Sequence, residues 1–322
     1  MQELRLLLYP FSVFYDGITS LRNYAFDKGI LKQKEYEVPI IAVGNLSTGG
    51  TGKTPMIEFF IKHFTGKKIG VLSRGYGRTT SGYLEISEND SPEKAGDEPL
   101  QIKRKFKDLI VSAVCEKRVE GIERLLKEHR LEVILLDDAF QHRYVKAHHY
   151  VLLTRYDLLY VDDHVLPAGN LRESSKGARR AQTIIVTKCP PDISNHEIQL
   201  IKTKLNLIPN QQLCFSYITY SKTLQGQDHG LSINELKGKQ VTVVTGIANP
   251  KPLLKYLKNF LTLEHLQYSD HHHFSLQEVE TIRNKKIVIT TEKDFMRLKK
   301  YALKNLYYLP IQTEFVGKEP LL

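Results

Sequence analysis

The chain has 322 residues, enough for two domains of ordinary size and a sizeable core. Its 41% hydrophobic and 25% charged content excludes long disorder, and three cysteines, few and odd in number, exclude a disulfide framework or a cysteine-based zinc module. The 46 Lys and Arg outnumber 36 Asp and Glu, giving a formal +10 that suits an anionic partner: nucleic acid, a phosphorylated substrate or an anionic membrane.

Sparse cysteine usage points to a reducing compartment. No apolar run reaches the ~18 residues of a membrane span, and the N-terminus lacks the pattern of a cleaved secretory signal. Phe11, Phe14, Tyr15, Ile18, Leu21 and Ala25 recur at helical spacing, and Pro10 suits a first turn. Such a stripe either packs on the core or lies on a membrane surface, and the pattern alone favours packing. It also suits a dimer face, so the sequence assigns no oligomeric state.

Strand patterns follow at 39–43, 69–72, 109–114, 132–136, 150–153 and 183–187, with amphipathic helices predicted at 54–64 and 116–129. Strand–helix alternation with β-branched strands predicts an α/β fold: a mostly parallel sheet sandwiched by helices. Residues 221–228 (SKTLQGQD) carry turn chemistry and read as a boundary. Beyond them strands at 240–244, 263–268 and 286–290 alternate with helices near 250–260 and 275–283. The expected division is therefore 1–220, a catalytic domain including the N-terminal helix, and 221–322, a smaller α/β domain. The basic clusters are short and read as solvated faces, so no nucleic-acid partner is expected.

The sharpest motif is STGGTGKT at 47–54, between the strand PIIAV and the next helix. A Gly-rich turn there lets backbone N–H groups of Thr48, Gly49, Gly50, Thr51 and Gly52 wrap a phosphate chain, and the helix N-terminus adds partial positive charge. Lys53 is placed for the β- and γ-phosphates, and the Thr54 hydroxyl for Mg²⁺. The first motif position is Ser47 rather than the usual Gly. The strand 132–138 (EVILLDD) ends in Asp137 and Asp138, where an acid supports the metal in P-loop proteins. The base-reading candidate, TKCP at 187–190, lacks the Asn and Asp of a guanine-specific element, which leaves ATP as the expected nucleotide.

Together with these, SRGYGR (73–78), GDEP (96–99), LDDAFQHR (136–143), LPAGNLRES (166–174), TGIANP (245–250), DHHHF (270–274) and TEKD (291–294) resemble the tetraacyldisaccharide 4′-kinase (lipid A 4′-kinase) family. The resemblance runs in order over most of the chain. It implies transfer of the ATP γ-phosphoryl group to the 4′-hydroxyl of a tetraacylated glucosamine disaccharide 1-phosphate, an anionic glycolipid. It further implies a peripheral enzyme on the cytoplasmic face of the inner membrane. Under it, the surface-helix reading of residues 11–25 leads over simple packing.

By similarity, Asp97 of GDEP is the base for the acceptor hydroxyl, with His271 as its orienting partner. Arg118, Arg172 and Glu173 match the polar site that holds substrate, and Gln141 and His142 line the nucleotide site. The second domain, with Asn249, His271 and Lys293, is expected to close over the nucleotide. Two other classes compete: a P-loop GTPase-type maturation factor, which predicts a guanine element and a cysteine pair, and a membrane-docked nucleotide switch, which predicts hydrolysis without an acceptor.

Overall fold

A computed structural model describes residues 5–270 and 272–321. The chain forms two compact units: residues 1–218 together with 313–322, and residues 219–312.

The first unit is built on one nine-stranded sheet. Its strands are β1 (Ile40–Asn45), β2 (Ile69–Ser73), β3 (Leu84–Glu85), β4 (Ile110–Val114), β5 (Val133–Asp137), β6 (His149–Arg155), β7 (Thr183–Thr187) and β8 (Gln212–Tyr220). The ninth is the C-terminal β15 (Ile311–Phe315), and the order is β15-β8-β7-β6-β1-β5-β2-β4-β3. Every pairing from β4 to β8 is parallel. The side-chain period of two puts alternate residues of β1 into different cores, both dry. Ile41 and Val43 pack with Met56 and Phe60, whereas Ile40 and Ala42 pack with Ile122 and Leu125. A strand buried on both faces reads as a continuous apolar run, which is why PIIAV was legible.

Helix α1 (Tyr9–Asp27) leads the chain, and α2 (Lys53–His63) follows β1. A short turn of helix, α3 (Pro92–Ala95), runs into α4 (Asp97–Phe106), and α5 (Arg118–Glu128) connects β4 to β5. The chain leaves β1 to form β2 two places away, returns beside it as β5, and then crosses to its other side as β6. The carboxyl end of β1 is therefore a topological switch point, where open α/β sheets gather ligands.

The second unit carries a six-stranded sheet. It comprises β9 (Thr223–Gln225), β10 (Gly230–Ser232), β11 (Gln240–Thr245), β12 (Thr262–Gln267), β13 (Val288–Thr290) and β14 (Leu306–Tyr308). Strands β11 to β14 pair in parallel, and β9 and β10 add an antiparallel edge. The segment 221–228 is thus more than a connector: Leu224 is fully buried in this unit's core. Residues 313–322, grouped from sequence with the second domain, belong to the first unit, because β15 lies beside β8 and Val316 N–H bonds to Phe215 O at 2.8 Å.

Candidate active site

The switch point is occupied by the Gly-rich loop. Gly49, Gly50 and Gly52 hold φ of +72°, +59° and +85°, a region that glycine enters without the steric penalty of a Cβ. Gly52 is the N-cap of α2, and among the described residues no side chain caps it. The first-turn N–H groups are left for a ligand, and the helix dipole favours an anion there.

The end of β7 pins the loop from behind. Thr187, closing β7, donates its hydroxyl to Thr51 O at 2.8 Å, and the neighbouring Lys188 donates to Gly50 O. Burial, then Arg155, pulls the Lys188 amine below its ordinary pKa. Thr48 N–H is held by Asn170 O at 2.8 Å, so the segment 165–173 forms another wall. Asn45 braces the loop through Ser47 O at 2.7 Å and accepts from Lys53 Nζ at 3.4 Å. Asn45, Asn170 and Lys188 escaped the sequence reading. Lys188 lies in TKCP and Asn170 in LPAGNLRES, motifs that by themselves give neither residue a role, and Lys188 clamps the Gly-rich loop.

The register Val43↔Asp137 between β1 and β5 brings the acidic pair beside this loop. The two carboxylates have different surroundings. Asp137 is buried. Its Oδ2 accepts from Ser73 at 3.3 Å, while Oδ1 has no hydrogen-bond partner among the described residues. Burial, then the Glu98 carboxylate, raises its pKa to about 6. Asp138 sits at φ +49° and is gripped by cations, with Arg172 at 3.0 Å and Lys53 at 3.6 Å. Burial pushes the Asp138 carboxyl upward, but Lys53 and Arg172 outweigh it and hold the pKa below the ordinary value.

Arg118 opens α5 fully buried, bonding Cys115 O at 2.5 Å and Asp137 O at 3.2 Å. Burial lowers its pKa to about 10. Beside it lies a cleft of about 610 Å³ whose charged lining is Arg22, Arg74, Lys117 and Arg118 against Glu116. His142 lines the same cleft. Burial, then Arg118 and Arg74, lowers its pKa to about 4, so it is neutral at pH 7.

Glu173 is buried with Arg180 at 2.8 and 2.9 Å, Gln141 Nε2 at 3.0 Å and Asn23 Nδ2 at 2.6 Å. It therefore orients protein groups. Asp97 is the first residue of α4, after Gly96 at φ +88°. A Cβ on Gly96 would lie 3.3 Å from Tyr76 O, so the SRGYGR loop packs directly against the start of this helix. Of the sequence-derived set, Lys53, Asp137, Asp138 and Arg172 converge around the loop, joined by Gln141 through Asn45 O at 2.9 Å. His271 lies outside the described residues.

Helix α1 forms over the expected segment, but its orientation is the reverse of a packed helix. Only Ser12 and Phe26 are buried. Phe11, Phe14, Ile18 and Leu21 are 65%, 73%, 54% and 70% exposed. Apart from Phe26, which packs edge-on against Tyr144, the protein-facing contacts are polar. Ser12 Oγ accepts from Ala168 N–H at 2.9 Å, Tyr15 donates to Arg172 O at 3.2 Å, and Arg143 donates to Asn23 O at 2.8 Å. No helix among the described residues is long and apolar enough to cross a membrane.

An uncapped helix start behind a lysine-bearing glycine loop, set beside an acidic pair with one buried member on a parallel sheet, defines a P-loop α/β protein. Comparison with known proteins narrows the class. The family model described as Tetraacyldisaccharide-1-P 4′-kinase matches residues 4–322. A tetraacyldisaccharide 4′-kinase of Flavobacterium johnsoniae is 49% identical, covering 99% of this chain and 95% of that protein. One from Bacteroides thetaiotaomicron is 42% identical, covering 97% and 89%. The crystal structure of LpxK from Aquifex aeolicus, solved in complex with ATP, superposes with a TM-score of 0.80 at 30% identity, covering 98% of this chain and 96% of that one.

The chain belongs to the tetraacyldisaccharide-1-P 4′-kinase family. The resemblance, the fold class and the kinase assignment drawn from sequence are borne out. The maturation-factor and switch alternatives are not favoured.

Proposed function

We propose that this enzyme transfers the γ-phosphoryl group of ATP to the 4′-hydroxyl of a tetraacylated glucosamine disaccharide 1-phosphate. One observation carries the site assignment: a phosphate loop whose Lys53 pairs with Asp138 at 3.6 Å, beside the buried Asp137, one oxygen of which has no partner among the described residues. The Aquifex relative was solved with ATP, which supports ATP as donor.

A buried carboxylate oxygen with no donor is unfavourable unless something fills the place. That fits a divalent cation, and Thr54 with Asp137 would hold Mg²⁺, with Asp138 behind them. When bound, the ion neutralises phosphate charge in the loose transition state of phosphoryl transfer. Lys53 adds a fixed positive charge on the leaving side. Asp138 keeps Lys53 and Arg172 in place, so neither cation must reorganise as charge develops. Asp97 is the group we assign to accept the acceptor hydroxyl's proton, on a carboxylate oxygen, with the start of α4 fixing its position. The cation-rich cleft of Arg22, Arg74 and Lys117 suits the acceptor's own phosphate.

The acceptor's acyl chains lie in a bilayer, so the enzyme must meet them at a surface. Helix α1 turns its polar residues to the protein and its apolar residues outward, the arrangement expected of a helix seated in a membrane interface. We assign it that role, and the protein a peripheral place on the cytoplasmic face of the inner membrane, where ATP is available.

The test is phosphate transfer from γ-labelled ATP to a detergent-dispersed tetraacyldisaccharide 1-phosphate. Label in the lipid, dependent on both acceptor and Mg²⁺, supports the reading. Release of free phosphate with no labelled lipid contradicts it and returns the switch alternative.

A further inference from the structure

The outward-facing helix is joined to the phosphate loop by a chain of polar contacts. Asn23 Nδ2 donates to Glu173 Oε2 at 2.6 Å. Gln141 Nε2 donates to Glu173 Oε1 at 3.0 Å and to Asn45 O at 2.9 Å. Asn45 Oδ1 accepts from Lys53 Nζ at 3.4 Å. Five residues thus run from a helix whose far face is bare hydrocarbon to the lysine of the phosphate loop. The helix holds Gln141 a second time, through Arg22 to Gln141 O at 3.3 Å.

We propose that Asn23 is a positioning residue for phosphoryl transfer, acting through Glu173, Gln141 and Asn45 on Lys53, so that α1 is part of the active-site scaffold and not only a lipid anchor. The inference rests on the kinase and surface-helix readings above.

Glu173 is 3% exposed, and a buried carboxylate takes its position from its donors. Arg180 contacts both its oxygens, at 2.9 and 2.8 Å. Asn23 supplies a further donor to Oε2 and Gln141 one to Oε1. Removing the Asn23 amide leaves Oε2 to Arg180 alone. The carboxylate turns toward the guanidinium, and the Gln141 amide that it shares with Asn45 O must follow. Asn45 closes β1 and also fixes Ser47 O at 2.7 Å, so a shift there reaches both the loop backbone and Lys53. Displacements of this kind matter because catalysis by a P-loop is mainly positioning.

The same contacts would exist if Asn23 only fastened the helix, and that simpler role makes a different prediction. The experiment compares Asn23→Ala, Asn23→Gln and a Phe14→Ser/Leu21→Ser double variant of the full chain. Each is measured for kcat and acceptor KM in mixed micelles, for the Kd of a fluorescent ATP analogue without acceptor, for Tm, and for sedimentation with anionic vesicles. A positioning role predicts that Asn23→Ala lowers kcat about tenfold and weakens the ATP analogue, with acceptor KM, Tm and vesicle binding near parent values. Asn23→Gln, which keeps an amide donor, recovers most of both losses.

Parent-like kcat and analogue affinity in Asn23→Ala overturn the proposal. So does a loss that Asn23→Gln shares and that follows a fall in Tm. The underlying readings fail separately. If the double variant still sediments with vesicles, the surface-helix reading is wrong. If the parent labels no lipid, the kinase reading is wrong. In both cases the acceptor-free affinity still decides the role of Asn23.

Discussion

Arg172 donates through one guanidinium nitrogen to both carboxylate oxygens of Asp138, at 3.0 Å each. With Lys53 at 3.6 Å from the same group, Asp138 is committed to two cations. Asp137, one residue earlier, keeps an oxygen with no partner among the described residues. The pair that looks equivalent in sequence is therefore divided by its neighbours. Asp137→Asn should raise the Mg²⁺ concentration needed for half-maximal activity by tenfold or more, a loss of about 1.4 kcal/mol in metal binding. Asp138→Asn should lower kcat with a smaller change in metal requirement. Mg²⁺ titration of both variants at saturating ATP separates the roles, and the reverse pattern would assign the metal to Asp138.

The raised pKa of Asp137 has a signature in stability. Its folded value of about 6, set chiefly by burial, lies above the ordinary 3.8. Folding therefore favours the protonated form, and the ligand-free protein gains stability from this group as pH falls from about 6 toward 4. Above pH 6 the buried charge is a full penalty. Asp137→Asn removes that penalty, so the metal-free variant should melt above the parent at pH 7.5, and the difference should shrink at pH 4.5. Paired thermal unfolding in chelator checks this. An equal difference at both pH values would mean that Asp137 titrates normally.

Backbone packing beneath the acidic pair sets a second test. A Cβ on Gly44 would lie 2.7 Å from Phe140 Cβ and 2.8 Å from Phe140 N. The end of β1 and the segment after Asp138 approach too closely for any side chain. Gly44→Ala should destabilise the protein by ~1–3 kcal/mol, the usual range for overpacking. Gly17, inside α1, has nothing within 4 Å of its notional Cβ. Gly17→Ala should stabilise by up to ~1 kcal/mol through helix propensity. Urea unfolding of both variants should show opposite signs.

The parts of the site that a local pattern encodes were legible in sequence. STGGTGKT is contiguous, and its strand and helix flank it, so loop, Lys53 and switch point could be placed together. EVILLDD likewise announced a strand with acids at its carboxyl end. The groups that hold these parts come from far along the chain. Thr187 reaches Thr51 across 136 residues, and Asn23 reaches Glu173 across 150. Such contacts leave no spacing to read. The stripe of α1 was visible, but periodicity fixes which residues share a face and not which face meets the protein. There the polar side, through Ser12, Tyr15 and Asn23, did the docking. Strands β8 and β15 gave no clear pattern because QLCFSYITY and IQTEF mix polar and apolar residues: β15 is the sheet edge, β8 lies next to it, and both are only partly buried.

In the proposed mechanism one P-loop site, with Lys53 on the phosphates and Asp97 at the acceptor, performs the lipid phosphorylation. Its most direct test is acceptor phosphorylation by the parent, Lys53→Ala and Asp97→Ala, measured beside the affinity of each for ATP. Both variants should lose transfer by at least about a hundredfold, the scale of general-base and phosphate-positioning effects, while Asp97→Ala should still bind ATP as the parent does. Near-parent transfer by Asp97→Ala would contradict the assigned base, and near-parent transfer by Lys53→Ala would contradict the site itself.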